Sequence, residues 1–175
     1  LHFTQSLLDR LAKIGVQQEF VTLHVGLGTF QPVKAERVED HQIHSEWYSI
    51  DKEVIERLQQ AKKEGRRIVA VGTTSVRVLE TVFSDVSSSG LSFPRRRESR
   101  TKTVEVLSGE TSIFIYPGYK FHAVDALITN FHTPYSSLLA LVYAFAGQEL
   151  IRKAYQHAID EKYRFFSFGD AMFIE

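Results

Sequence analysis

Residues 41–48, HQIHSEWY, crowd His41, His44 and Glu46 against Trp47 and Tyr48. Imidazole and carboxylate side chains so close together suit acid/base work or hydrogen bonding to a substrate. A helix would put His41 and His44 on one face; a strand would put them on opposite faces. With Trp, Tyr and Ile nearby and Pro32 upstream, a loop leading into a strand is expected. Zinc hydrolases of the His-Glu-x-x-His kind need two histidines four apart on a helix, a spacing absent here. A metal-dependent hydrolase built on His41, His44 and Glu46 stands as an alternative, and an ordinary polar strand edge as the plain reading.

Further clusters fall where other strands should end. HVGLGTF carries His24, Gly26, Gly28 and Thr29. A dinucleotide fingerprint would need a third glycine and an immediate helix. Phe30-Gln31-Pro32 follows instead, so the glycines mark either a close approach of backbone to a ligand or a strand-end bulge. VGTTSVR reads as strand, Gly72, then Thr73, Thr74 and Ser75 at a helix N-terminus, a setting for a carboxylate or phosphate. Arg77 lies in the first helical turn, where the helix dipole disfavours a cation unless it meets an anion. The plain alternative is N-capping by Thr73 or Thr74 with Arg77 paired to Glu80. ITNFHTP leaves Asn130 and His132 at a strand tip, fit for reading a substrate or for a turn. YRFFSFGD interleaves aromatics with Arg164 and ends on Asp170, as a base-stacking group or as core.

The elements that must position these residues follow from periodicity. Thr4 can cap a helix through Leu7, Leu8 and Leu11 that stops at Gly15. Val21, Leu23, Val25 and Leu27 alternate as a strand. EWYSI is a second strand, and Asp51 opens a helix that stops at Gly65. RRIVAVG is a strand and TTSVRVLETVF a helix. TSIFIY and HAVDALIT read as strands, with Pro117-Gly118 as a turn. SSLLALVYAFAG reads as a buried helix and QELIRKAYQHAIDEKY as an amphipathic one. YRFFSFGDAMFI reads as a turn and a last strand. The alternation predicts an α/β fold with a largely parallel sheet or partial barrel and flanking helices. Residues 84–108 lack periodicity and read as an inserted flexible loop in a single, incomplete domain.

The bulk numbers narrow the classes. The 175 residues are 43% hydrophobic, enough for a core. Lys+Arg and Asp+Glu both count 21, so nucleic-acid binding would need a local patch. PRRRES, with Arg95 to Arg97, could be such a patch, but a solvated loop is the favoured reading. Cysteine is absent, which excludes disulfides and thiolate metal sites and fits a cytoplasmic location. No apolar run has the length of a membrane span and no signal peptide is visible. The chain begins at Leu1 and enters a helix almost at once, as a C-terminal portion of something longer would.

Taken together and in order, TLHVGLGTFQPV, HQIHSEWY, AVGTTSVRVLE, IFIYPGYKF, VDALITNFH and EKYRFFSFGDAMFI resemble the S-adenosylmethionine:tRNA ribosyltransferase-isomerase family of queuosine biosynthesis. The resemblance covers nearly all of the chain except 84–108. It implies that the ribosyl group of S-adenosylmethionine is transferred to 7-aminomethyl-7-deazaguanine at the tRNA wobble position. Isomerisation then gives epoxyqueuosine, with adenine and methionine released. S-adenosylmethionine would be a co-substrate, with no permanently bound cofactor and no metal. His41, His44, Glu46 and His132 are then the candidate acids and bases. His24, Gly26, Gly28, Thr29, Thr73, Thr74, Arg77, Asn130, Arg164 and Asp170 are the candidate substrate contacts. Family members are longer: an N-terminal portion and an inserted β-barrel domain would precede Leu1, so an N-terminal half is an expected partner. Thr133 and Tyr135 depart from the family pattern. A non-catalytic RNA-binding module is the third reading.

Overall fold

The computed structural model describes residues 2–26, 37–41, 43–89 and 105–175. The described residues form a mixed α/β structure with two small sheets and five helices. Three strands make an antiparallel sheet in the order β1 (Thr22–Leu23), β2 (Glu46–Asp51), β4 (Val106–Thr111). The second sheet runs β3 (Val69–Val71), β5 (Ala126–Asn130), β6 (Ala171–Ile174), with β3 and β5 parallel and β6 antiparallel to β5. Only the β3–β5 pair shows the parallel geometry that alternation of elements leads one to expect; the other pairings are antiparallel. The crossover through α3 lets β5 lie parallel to β3, as a parallel pair requires, but a helical connection does not fix direction: β6 also follows helices and pairs antiparallel with β5.

Helix termini follow their side chains. Thr4 caps α1 (Gln5–Lys13) by accepting from the Leu7 amide. The helix α2 (Lys52–Lys63) begins with Glu53 and ends with Lys62 and Lys63, charges that suit its dipole. Asp51 stands at its N-cap without a side-chain cap bond. The buried helix α4 (Ser137–Ala146) is capped by Ser136, whose hydroxyl accepts from the Leu139 amide. The surface helix α5 (Gln148–Asp160) closes with the Tyr163 amide on Ala158 and the Lys162 amide on Ile159. Lys162 there takes φ 58°, where glycine is more usual.

The helix α3 (Thr73–Ser89) is the centre. It packs on β1 and β4 of one sheet and on β3 and β5 of the other. Val76, Arg77, Val78, Leu79 and Glu80 are consecutively buried, which only a helix covered on all sides shows. Its length exceeds expectation at the C-terminal end: residues 84–89 continue α3, and 106–108 belong to β4. Residues 90–104 of the expected inserted loop lie outside the described residues. The expected strand at TSIFIY is displaced too, since β4 ends at Thr111.

Burying α3 on every side forces its polar side chains to find partners inside the protein. Glu80 is fully buried. Its Oε1 accepts from the amides of Ala123 and Val124, and its Oε2 from the His122 amide and the Tyr119 hydroxyl. One carboxylate thus shapes the whole approach to β5. Burial and the Glu80 charge together push the Tyr119 phenol pKa up, so it stays a donor. Thr81 meets Thr111 of β4 hydroxyl to hydroxyl at 2.6 Å. Replacing Glu80 by Ala should lower the free energy of unfolding by at least about 3 kcal/mol, because three amides lose their acceptors. Glu80→Gln, which keeps one acceptor oxygen, should cost less; urea unfolding of the two variants measures both.

Candidate functional site

The first feature of the site is the start of α3. Strand β3 ends at Val71, and Gly72 turns the chain with φ 88° while its amide bonds the Ile128 carbonyl of β5 at 2.8 Å. The first-turn N–H groups of a helix have no acceptor within the helix. Here they open beside a cleft of about 250 Å³ lined by Val21, Thr22, Leu23, Val25, Thr74 and Ser75. The cleft therefore joins β1 to the α3 N-terminus. Ser75 donates its hydroxyl to the Val71 carbonyl, and Thr73 is buried. Thr74, half-buried, is the threonine that faces the cleft.

One turn deeper, Arg77 meets Glu46 of β2 through its Nη1, with both side chains almost wholly buried. The other Glu46 oxygen accepts from the Gly26 amide at 2.8 Å. The anion that the placement of Arg77 called for is thus a protein carboxylate, and Glu80, its possible partner three residues on, serves the 122–124 amides instead. The pair fixes the backbone at Gly26, where the glycine segment leaves β1. The Nε and Nη2 atoms of Arg77 are buried with no hydrogen-bond partner among the described residues.

A second cluster sits at the tip of β5. The Asn130 side-chain amide approaches the carbonyls of Gly169 and Asp170 and the ring of His2. His132 shares a hydrogen bond with the Thr129 hydroxyl, and its amide donates to the Tyr155 hydroxyl. Burial lowers the His132 pKa to about 4 and raises that of Tyr155 to about 12. At neutral pH, His132 is a neutral imidazole and a weak base. Asp170 clasps Arg164 twice, taking its amide on Oδ2 and its guanidinium on Oδ1. Those two bonds hold the Asp170 carboxyl below the usual carboxylate range. Gly169 is obligatory in this loop, since a Cβ there would stand 2.3 Å from the Arg164 carbonyl oxygen.

The remaining candidates scatter. His41 is half-buried and tilts against the Phe114 ring at 5.2 Å. His44 is exposed, and His24 stands edge-on to Trp47 at 4.7 Å. Strand β2 does begin within HQIHSEWY, at Glu46. Gly28, Thr29 and Arg95 to Arg97 lie outside the described residues. Among the described residues no group of three or more His, Cys, Asp or Glu side chains is placed to hold a metal ion. Glu46, the carboxylate a metal reading needs, has its oxygens turned to Arg77 and Gly26. Sequence reasoning missed Glu80 and Tyr155 as organisers of the loops beside the site. The available signal for Glu80 was a carboxylate amid Val76, Leu79, Val82 and Phe83 on a helix apolar nearly all round.

Two measurements test this geometry. Arg77→Met alone strands the buried Glu46 charge and should cost about 3–5 kcal/mol of stability. Combined with Glu46→Gln it should cost clearly less, because the uncompensated charge is gone; a denaturation double-mutant cycle reads the difference. For His132, the folded pKa of about 4 lies below the ordinary 6.5. The folded protein then binds fewer protons than the unfolded chain between those values, so stability rises with pH there. The contribution is complete above about 6.5 and drains away as pH falls towards 4. His132→Gln should flatten the melting-temperature profile in that window.

Comparison with known proteins places the chain. A family model described as queuosine biosynthesis protein matches residues 1–174. An S-adenosylmethionine:tRNA ribosyltransferase-isomerase of Caldanaerobacter subterraneus subsp. tengcongensis is 53% identical over 174 residues, 99% of this chain and 47% of that protein. One from Acetivibrio thermocellus is 54% identical over 175 residues, again 47% of its length. The crystal structure of an S-adenosylmethionine tRNA ribosyltransferase from Thermotoga maritima superposes with a TM-score of 0.73 at 42% identity, covering 99% of this chain and 50% of that one. The chain spans about half the length of the relatives it matches. It belongs to the queuosine biosynthesis protein family.

Proposed function

We propose that the chain forms part of an S-adenosylmethionine:tRNA ribosyltransferase-isomerase. It would take part in moving the ribosyl group of S-adenosylmethionine onto 7-aminomethyl-7-deazaguanine in tRNA, with epoxyqueuosine, adenine and methionine as products. The observation that carries this reading is the match of about half or more of its residues, over its whole length, with relatives of that name. The two described clusters suit the two substrates.

The cleft beside α3 suits the methionyl end of S-adenosylmethionine. Its carboxylate would take the first-turn amides, with Thr74 lending a hydroxyl, where the helix dipole favours an anion. The apolar wall of Val21, Leu23 and Val25 suits the methylene carbons of the methionyl chain. His24 and Gly26 would line the nucleoside side, the glycine permitting close backbone approach. Arg77 and Glu46 then act by holding Gly26 in place. The sulfonium acidifies the adjacent C5′ hydrogens, so one base must remove a proton and an acid must protonate the departing adenine. His41 and His44 are the candidates for these tasks, while His132, kept neutral by burial, suits a hydrogen-bonding role. At the tip of β5, Asn130 has a carbonyl oxygen to offer to the deazaguanine, with Arg164 and Asp170 beside it.

We read the two sheets as parts of a larger, partly parallel or barrel-like α/β domain completed by a segment equivalent to the rest of the longer relatives. β3 is an edge strand, and its Val69 and Val71 are 42% and 44% exposed, an apolar margin suited to further packing. The test incubates the chain with S-adenosylmethionine and a tRNA bearing the aminomethyl-deazaguanine and measures adenine release, with and without that complementing half. Release on complementation is expected. Thr74→Val should weaken S-adenosylmethionine binding about fivefold or more, read by calorimetry. RNA binding with no S-adenosylmethionine binding in either form would replace the proposal by a non-catalytic RNA-binding module.

A further inference from the structure

Three aromatic side chains near the tip of β5 are left out of the core. Tyr135, Phe166 and Phe168 are 81%, 58% and 80% exposed. Exposed rings scattered singly need no explanation, but these lie on two loops that are tied together. The Phe166 amide donates to the Phe131 carbonyl, and Asn130 reaches the carbonyls of Gly169 and Asp170. Beneath them Phe131, Tyr155 and Phe165 pack ring against ring, at 5.0 to 5.9 Å. The loops are therefore held firmly while the outer rings stay uncovered.

The backbone adds a second observation. Tyr135 and Phe166 take φ 57° and 69°, the left-handed region that bulky residues avoid. Pro134 and Tyr135 occupy the middle of a turn whose third position usually goes to glycine or asparagine. Phe166 opens a turn closed by the Gly169 amide on its carbonyl. Aromatic residues stand at two places where glycine would relieve strain, and neither ring is buried in return. Such strain at exposed positions points to function. The same loop carries exposed polar residues: Arg164 stands two residues before Phe166, and Lys162 precedes Tyr163, itself 44% exposed.

We infer that Tyr135, Phe166 and Phe168 form a stacking surface for unpaired RNA nucleotides, those flanking the base read at the tip of β5. The inference rests on the tRNA reading above and adds the residues that would grip the neighbouring nucleotides. Every base offers a π-face, so such a surface binds without demanding sequence. Asp170 already pairs with Arg164, and the patch carries few cations, so ring stacking dominates over phosphate attraction.

The test is fluorescence anisotropy with a labelled single-stranded heptaribonucleotide, alongside the same strand made abasic. Tyr135→Gly, Phe166→Gly and Phe168→Ala should each weaken binding about fivefold or more. The two glycine variants should keep or raise the urea midpoint, since they release a strained φ. The abasic strand should bind the unsubstituted chain weakly, and about a fourfold rise in salt should lower affinity by less than about tenfold. Unchanged RNA affinity in all three variants overturns the inference. So does a fall in the urea midpoint of both glycine variants, which would make the rings structural, or a loss confined to binding of the complementing half, which would make the patch a protein interface. S-adenosylmethionine binding by the unsubstituted chain is read separately. If it fails while ring-dependent RNA binding persists, the ribosyltransferase reading falls and the stacking surface stands.

Discussion

A helix buried on every side can keep charged residues only if the surrounding protein supplies their counterparts. α3 carries Arg77 and Glu80 in its most buried stretch. Each is answered by a different part of the fold: Arg77 by Glu46 on β2, Glu80 by the three amides and a phenol of the 119–124 segment. The two sheets are thereby held to one helix at fixed positions. Apolar packing alone would tolerate a helix sliding or rotating by a fraction of a turn; these bonds do not. Buried ionic groups add little net stability against an apolar substitute, yet breaking one partner is expensive. Their use here is in fixing position.

That constraint explains why the cleft lies where it does. Glu46 faces two ways, receiving Arg77 from the helix and the Gly26 amide from the chain leaving β1. The α3 N-terminus and the β1 end therefore approach each other at a distance set by one carboxylate. The same logic operates at the tip of β5, where Asp170 gathers Arg164 and Gly169 admits a backbone approach that any Cβ would block. In both places a carboxylate held by hydrogen bonds sets the geometry of its neighbours.

Much of the fold was legible because it depends on neighbours in sequence. The cap at Thr4, the buried character of α4 and the strand at EWYSI follow from local patterns. Strand β4 was not legible: VLSGET lacks the alternation that marks a strand, with Val106 and Leu107 followed by four polar or small residues, and becomes one because β2 pairs with it along its whole length. The sheet directions were equally non-local. Of the candidate site, VGTTSVR announced a helix start beside a strand end; Arg77, expected in the first turn, lies one turn further along α3, and its burial is what demands an anion. That the anion would be Glu46, thirty-one residues earlier in the chain, could not be read from either stretch alone. Glu80 was hidden for the same reason, since its partners lie more than forty residues later.

The buried charges and the exposed rings are two halves of one physical arrangement. Around α3 the charged groups Arg77 and Glu80 are enclosed, while Thr74 and Ser75 at its start line the cleft. Around the β5 tip, apolar groups that could have been enclosed are held outside, two of them on backbone that glycine would find easier. A fold selected only for stability would do the opposite at both places, sheltering the rings and keeping Arg77 and Glu80 at the surface. His132 lies between these regimes: it is buried enough to be kept neutral, and it joins the strand end to α5 through Tyr155. The enclosed charges make the frame rigid, and rigidity lets strained, exposed side chains hold their places without collapsing onto the core.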